Sequence, residues 1–418
     1  MNKLLEYLRN NSKFIKILHL FEYLFLSCYT FSLPAFSARN PYNIISYILM
    51  VLLIANTILI TVIKKNYKFK LHFVIIPIFV VWMFIGTVIF SHNYRGILTL
   101  FLLSVTMFTF YFSFISIANF KHCSYVLIIA ILAFSMYFIV IYWKSILSFQ
   151  SYTNGNFRLG DYFDNVNHIG TYFFLGFALC LYFLLFGELK EKFIFIIGIL
   201  FLLLGMTTGS REFVVNILLI VVIMLFFKFR NKKWIYLLTL VGVVVLIIIL
   251  LNLPFMATMK TRFEKMIVAL LGGGGEGSTT TRFMWQVYGI VLGSQNIVPG
   301  YGFYGFGVAS GIGTYTHANY SEIICNGGLL GLVLFYGYLI YIFYRTCRWD
   351  NSFKNFVAAL SLTFILSSPV SIFYSSKETY LFFGLMLSIM DTTFNNQIIW
   401  KGKTKNVVIE DAFYTVNI

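Results

Sequence analysis

The chain has 418 residues, 59% of them hydrophobic and only 11% charged, with a formal net charge of +16. That apolar share exceeds what a soluble protein of this length can bury. It excludes a soluble enzyme or regulator and points to a polytopic membrane protein built of apolar runs about 20 residues long. In such a chain the basic excess marks cytoplasmic loops lying against anionic headgroups, not a nucleic-acid partner.

The apolar runs predict an all-α fold of about twelve transmembrane helices, near 14–35, 43–63, 71–90, 97–117, 125–142, 169–187, 193–208, 213–229, 233–253, 319–344, 355–374 and 378–395. Met1 to Lys16 lacks the apolar run and small-residue site of a cleavable signal peptide, so the first span is expected to direct insertion. About two thirds of the 31 Lys and Arg fall in loops on one side, among them Lys64, Lys65, Lys68, Lys70, Lys228, Arg230, Lys232 and Lys233. The positive-inside rule places that side, and both termini, in the cytoplasm. Two loops on the other side exceed connector length, 143–168 and 254–318, so function is expected on the extracytoplasmic face. The whole chain reads as one integral membrane domain, with 254–318 a large loop between spans 9 and 10. The five cysteines are scattered and lack metal-ligand spacing, which suits core thiols better than a disulfide framework.

The first long outer loop ends Arg158-Leu159-Gly160-Asp161-Tyr162-Phe163-Asp164-Asn165-Val166-Asn167-His168, just before span 6. Its carboxylates and histidine match no metal-binding spacing. Arg158 is either a substrate contact or part of a polar cap. At Gly209-Ser210-Arg211-Glu212 a tight turn leaves a charged pair at the membrane boundary. Arg211 there is either a snorkelling side chain paired with its neighbour or an anion site; in so short a loop the second reading is favoured, because the planar fork of arginine suits phosphate.

The large loop opens with a basic amphipathic segment, Met259 to Ile267, expected to lie on the membrane surface. The glycines Gly272 to Gly275 follow as a linker. Thr279, Thr280 and Thr281 are candidate N-caps for a helix opening at Arg282. An arginine in a first turn opposes the helix dipole, which suggests that it serves a ligand. Pro299-Gly300-Tyr301-Gly302-Phe303-Tyr304-Gly305-Phe306-Gly307 is an aromatic loop whose rings can pack on sugars or anchor at the interface. Thr316-His317-Ala318-Asn319-Tyr320-Ser321-Glu322 then enters span 10. His317 and Glu322 are candidates for proton transfer. On one continuous helix they would diverge by about 140°, so they converge only if His317 lies in the loop before the helix. His317 at the aqueous mouth is the favoured base; Glu322, one turn deeper, is expected to orient it or the loop backbone.

Four patches in this order resemble the O-antigen ligase and polymerase superfamily, which includes Wzy-type polymerases of bacterial surface polysaccharides. They are Arg158-x-Gly160 with Asn167; Gly209-Ser210-Arg211; Arg282 with Trp285, Pro299 and Gly300-Tyr301-Gly302; and His317 with Tyr320, Glu322 and Gly327-Gly328-Leu329-Leu330-Gly331. The resemblance implies a helical glycosyltransferase of the bacterial cytoplasmic (inner) membrane. Such an enzyme moves a polyprenyl-diphosphate-linked glycan onto an acceptor sugar, without metal or cofactor. Arg211 and Arg282 would hold the diphosphate and His317 would assist the acceptor hydroxyl. Glu322 completes the catalytic candidates; Arg158, Asn167, Tyr301 and Asn319 are further substrate-binding candidates. The family often has asparagine directly after the histidine; here Ala318 intervenes before Asn319. The glycine pair and Glu322 look more like capsule or O-antigen polymerases than ligases. Membrane lipids and the lipid-linked oligosaccharide are the implied partners, with a chain-length regulator and a flippase as companions of a polymerase. The alternatives are a ligase moving a finished glycan to lipid A core or protein, and a lipid-linked oligosaccharide flippase. A flippase should carry its charges at mid-span, where Glu22 is the main acidic candidate.

Overall fold

The structure, a computed structural model, describes residues 11–36, 42–64, 74–117, 119–148, 158–163, 165–252, 277–347 and 353–391, together with 257, 260, 261, 264 and 268. Helices carry this fold because only closed backbone hydrogen bonding survives in lipid. In chain order they are α1 (Ser12–Ala35), α2 (Asn43–Lys64), α3 (Ile75–Gly86, continued by a π turn over Thr87–Ser91), α4 (Tyr94–Ile117), α5 (Phe120–Leu147), α6 (Val166–Phe186) and α7 (Phe195–Thr207). They continue with α8 (Arg211–Phe229), α9 (Lys233–Leu251), α10 (Gly277–Gln295), the short α11 (Gly305–Ala309), α12 (Asn319–Cys347), α13 (Lys354–Ser367) and α14 (Lys377–Asp391). There is no strand among the described residues, and seven of these helices are long and apolar enough to cross a membrane.

Each of the twelve predicted spans finds a helix. Polar residues set several starts: Asn11, Asn119, Asn165 and Ser210 accept backbone N–H bonds from the first turns of α1, α5, α6 and α8. Two boundaries correct the sequence reading. The span expected to run to 374 stops at Ser367, and 368–376 leaves helical geometry. Pro369 accounts for this, since it has no N–H with which to continue the helical hydrogen bonding. The loop helix begins at Gly277, so Arg282 stands in its second turn and the threonines before it are not caps. The predicted surface segment 259–267 and the glycines Gly272 to Gly275 lie largely outside the described residues.

α6 is buried along 83% of its apolar window and forms the axis of the bundle, whereas α1 and α2 are buried along only 28% of theirs. α6 packs on α7, α8 and α5; α12 packs on α10, α13 and α3; α13 also packs on α8 and so joins the two groups. Glu22 is fully buried between α1 and α2, where Asn56 Nδ2 and Thr57 Oγ1 each donate to it at 2.6 Å. The cysteines are free thiols, three of them buried.

α12 is not continuous. Gly328 adopts φ 62°, ψ −164°, and the backbone bonds released there are taken up by the loop after α10. Tyr301 N donates to Cys325 O (2.9 Å), Gly302 N to Asn326 O (2.7 Å), and Trp82 Nε1 of α3 to Gly327 O (2.8 Å). In return Leu329 N donates to Ile297 O (3.0 Å). The approach is so close that a Cβ on Gly300 would sit 2.5 Å from Gly328 N, and one on Gly302 would sit 2.2 Å from Thr87 N. Only glycine fits there. The loop is thereby stitched into the break and wedged against the π turn, where Phe303 N donates to Thr87 Oγ1 (2.7 Å).

Candidate active site

At the end of the bundle that carries the long loops, side chains from four helices and two connecting segments line a cavity of about 220 Å³. This is smaller than the ~300–1,000 Å³ of pockets that enclose a whole ligand. It suits a reacting centre whose substrates extend beyond it.

One side is built by α10 and the approach to α12. Arg282 and His317 both line it, and the His317 ring stacks on Trp285, one turn beyond Arg282, at 5.4 Å and 14°. The Tyr315 ring also lies against the imidazole, at 4.3 Å and tilted by 60°. His317 has φ 65°, a left-handed conformation uncommon outside glycine. A hydrogen-bonded turn holds it: Thr316 Oγ1 donates to Ala318 O (3.0 Å) and Ser321 Oγ donates to Thr316 Oγ1 (2.9 Å). His317 therefore sits before the helix, the placement that convergence with Glu322 requires. Burial, and then the charge of Arg282, lower the His317 pKa to about 4. Its imidazole is neutral at physiological pH.

Glu322 also lines the cavity but is 1% exposed, and its oxygens are engaged. Oε2 accepts from Thr316 N (2.7 Å) and Oε1 from Asn326 Nδ2 (2.9 Å). Asn326 is fixed in turn, because its Oδ1 accepts from Phe306 N (2.8 Å) and its Nδ2 also donates to Tyr374 OH (2.9 Å). The carboxylate thus anchors the backbone that presents His317. It also joins burial in pushing the Tyr374 phenol well above its usual pKa.

The other side is built by α6 and α8. Asn165, Asn167, His168 and Glu212 line it. Asn167 Oδ1 accepts from Arg158 Nη2 (3.2 Å) and Ser210 Oγ (3.0 Å), while Arg158 Nε donates to Thr208 O (3.2 Å). Arg158 therefore ties the loop before α6 to the turn before α8. Arg211 opens α8 and is half-buried; its neighbour Glu212 faces the cavity, while Arg211 is not among the lining residues. Asp161 accepts from Tyr142 OH (2.9 Å), and Asp164 lies outside the described residues.

Two candidates occupy structural positions. Tyr301 lies in the loop stitched into α12, edge-on to Phe90 at 5.8 Å. Asn319 is fully buried: Nδ2 donates to Tyr336 OH (3.0 Å) and Oδ1 accepts from Phe373 N (3.2 Å) and Tyr374 N (3.0 Å). It pins the segment after α13 to the start of α12. That segment supplies Val370, Ile372, Tyr374 and Ser375 to the cavity. The sequence reading missed this wall, although Pro369 and the serines at 367, 368, 371, 375 and 376 are its signal. It also left Glu212 and His168 without a role in the site.

Residues 193–336 match the family model described as O-antigen ligase, so this part of the chain is similar to the O-antigen ligase and polymerase superfamily. The match takes in α7 to α10 and the first part of α12, including Glu212, Arg282, His317 and Glu322. No curated protein and no solved structure matches the chain.

Proposed function

We propose that this protein polymerises polyprenyl-diphosphate-linked oligosaccharide repeat units into a surface polysaccharide, capsule or O antigen, on the outer face of the bacterial cytoplasmic membrane. The observation that carries the proposal is the meeting of Arg282 and His317 in one cavity within the family-matched region. In the proposed transfer the acceptor hydroxyl oxygen attacks the anomeric carbon, and the bond from that carbon to the diphosphate oxygen breaks. Neutral His317 takes the hydroxyl proton. Arg282 stabilises the charge growing on the leaving diphosphate, with Arg211, which opens α8 outside the cavity lining, as the second cation. Glu322 positions His317 through Thr316. Side chains supply both the charge stabilisation and the proton transfer, so the proposed reaction is independent of metal.

The family description supports a second reading, in which a finished glycan passes to lipid A core or protein. The chemistry is the same and only the acceptor differs. A deletion strain tests both. Accumulation of single lipid-linked repeat units, cured by the wild-type gene and not by His317→Ala, supports the polymerase. Accumulation of full-length lipid-linked chains would replace it by the ligase. Normal surface glycan in the deletion strain would refute both.

A further inference from the structure

We infer that Glu212, His168 and Asn167 form the subsite for the acceptor sugar, where they hold hydroxyl groups adjacent to the one that reacts. The inference rests on the transferase reading above and deepens it.

The cavity is chemically two-sided. Its α10–α12 side carries Arg282, His317 and Glu322, and its α6–α8 side carries Glu212, His168 and the amides of Asn165 and Asn167. The two sides belong to separate packing groups joined through α13. Both oxygens of Glu322 are taken up by Thr316 N and Asn326 Nδ2, so Arg282 is the group on the first side that is suited to a diphosphate. The donor's leaving group therefore takes the arginine side, and the α6–α8 side is left for a ligand without that charge.

The groups on that side match a sugar diol. A carboxylate accepts from two hydroxyls, an amide nitrogen donates to a third oxygen, and an imidazole can do either. Bonds to the charged member are the strong ones. Asn167 already uses Oδ1 for Arg158 and Ser210, and its amide nitrogen has no partner among the described residues. Glu212 follows the N-cap Ser210 by two residues, where a carboxylate suits the helix dipole. That preference would be met as well in water, yet Glu212 is 9% exposed. The Thr171 hydroxyl lies 3.3 Å from its Oε1 and 3.1 Å from Asn167 O, which fixes the carboxylate beside the asparagine. Arg158 braces the same corner from behind through Thr208 O.

The test separates acceptor from donor. Purified full-length protein in nanodiscs receives a lipid-diphosphate-linked repeat unit whose own acceptor hydroxyl is removed, so that it serves only as donor. A lipid-free repeat-unit glycan serves as acceptor. Glu212→Gln is expected to raise the acceptor KM by about tenfold, the loss of one charge-assisted hydrogen bond, with donor KM unchanged. A raised donor KM with acceptor KM constant would assign this side to the donor and overturn the inference. A fall in kcat with both KM values constant would overturn it too. If Glu212→Gln is not monodisperse, His168→Gln is read by the same criteria. A wild-type protein that consumes no donor would sink the transferase reading itself, an outcome visible before any variant is made.

Discussion

Replacing Glu322 by glutamine separates holding the histidine from exchanging a proton. Both carboxylate oxygens face donors, Thr316 N at 2.7 Å and Asn326 Nδ2 at 2.9 Å. Asn326 cannot turn its amide over in compensation, because Phe306 N already donates to its Oδ1. A glutamine must therefore point its NH2 at one of two donors and leave one of them buried without an acceptor. Such a loss costs about 1–3 kcal/mol, roughly 5- to 150-fold in the population of the ordered loop. Initial rates in nanodiscs, with the lipid-linked oligosaccharide as substrate, should show kcat/KM reduced within that range. The pH profile should keep its shape, because His317 still takes the proton. His317→Ala should fall further, by about 10²–10⁴-fold, and lose the acid limb. Two results would refute the reasoning. A Glu322→Gln loss as deep as that of His317→Ala, with an altered pH profile, would make the glutamate a proton carrier. An unaltered rate would mean that Thr316 does not depend on it.

The His317 pKa of about 4 sets the acid limb. Protonation removes the lone pair only as pH falls through that value, so kcat/KM should stay flat through pH 6.5, and Arg282→Ala should move the limb upward; a wild-type limb near 6.5 would contradict the assignment. Arg211→Lys and Arg282→Lys keep charge but lose the two-pronged fork, and each is expected to cut polymer yield severely at unchanged protein level. Normal polymer from both would remove the basis for diphosphate binding by these arginines. For orientation, single cysteines near Gly275 and Arg348 on a cysteine-free background are treated with an impermeant thiol reagent in spheroplasts. Labelling is expected at 275 alone, and labelling at 348 alone would reverse the topology.

The helices were legible because the bilayer imposes length and apolarity on each segment separately. His317, Arg282 and Glu322 were legible because each is a polar residue out of place beside apolar sequence. On the α6–α8 side Asn167 was legible, but His168 and Glu212 were not, since they are 44 positions apart in sequence and meet only through helix packing. Asn319 and Tyr301 show the opposite case. An amide or a ring suits the fold as well as a ligand: the Asn319 amide holds the backbone at Phe373 and Tyr374, and the Tyr301 ring packs on Phe90. Tyr374 lay inside an apolar run whose helix is ended early by Pro369, so hydropathy alone assigned it to a span.

Surface loops usually absorb insertions, but the stitching of 297–302 into α12 removes that freedom. Each hydrogen bond across the break fixes how many residues separate Ile297 from Tyr301 and Gly302. One added residue would put every later donor out of register with its carbonyl. Related sequences should therefore vary in length before Gly277 and hold a constant count from Ile297 to Gly302. The order of synthesis is constrained as well. The first turns of α12 bond to a segment made before them, so these bonds can form only once α12 has followed the loop.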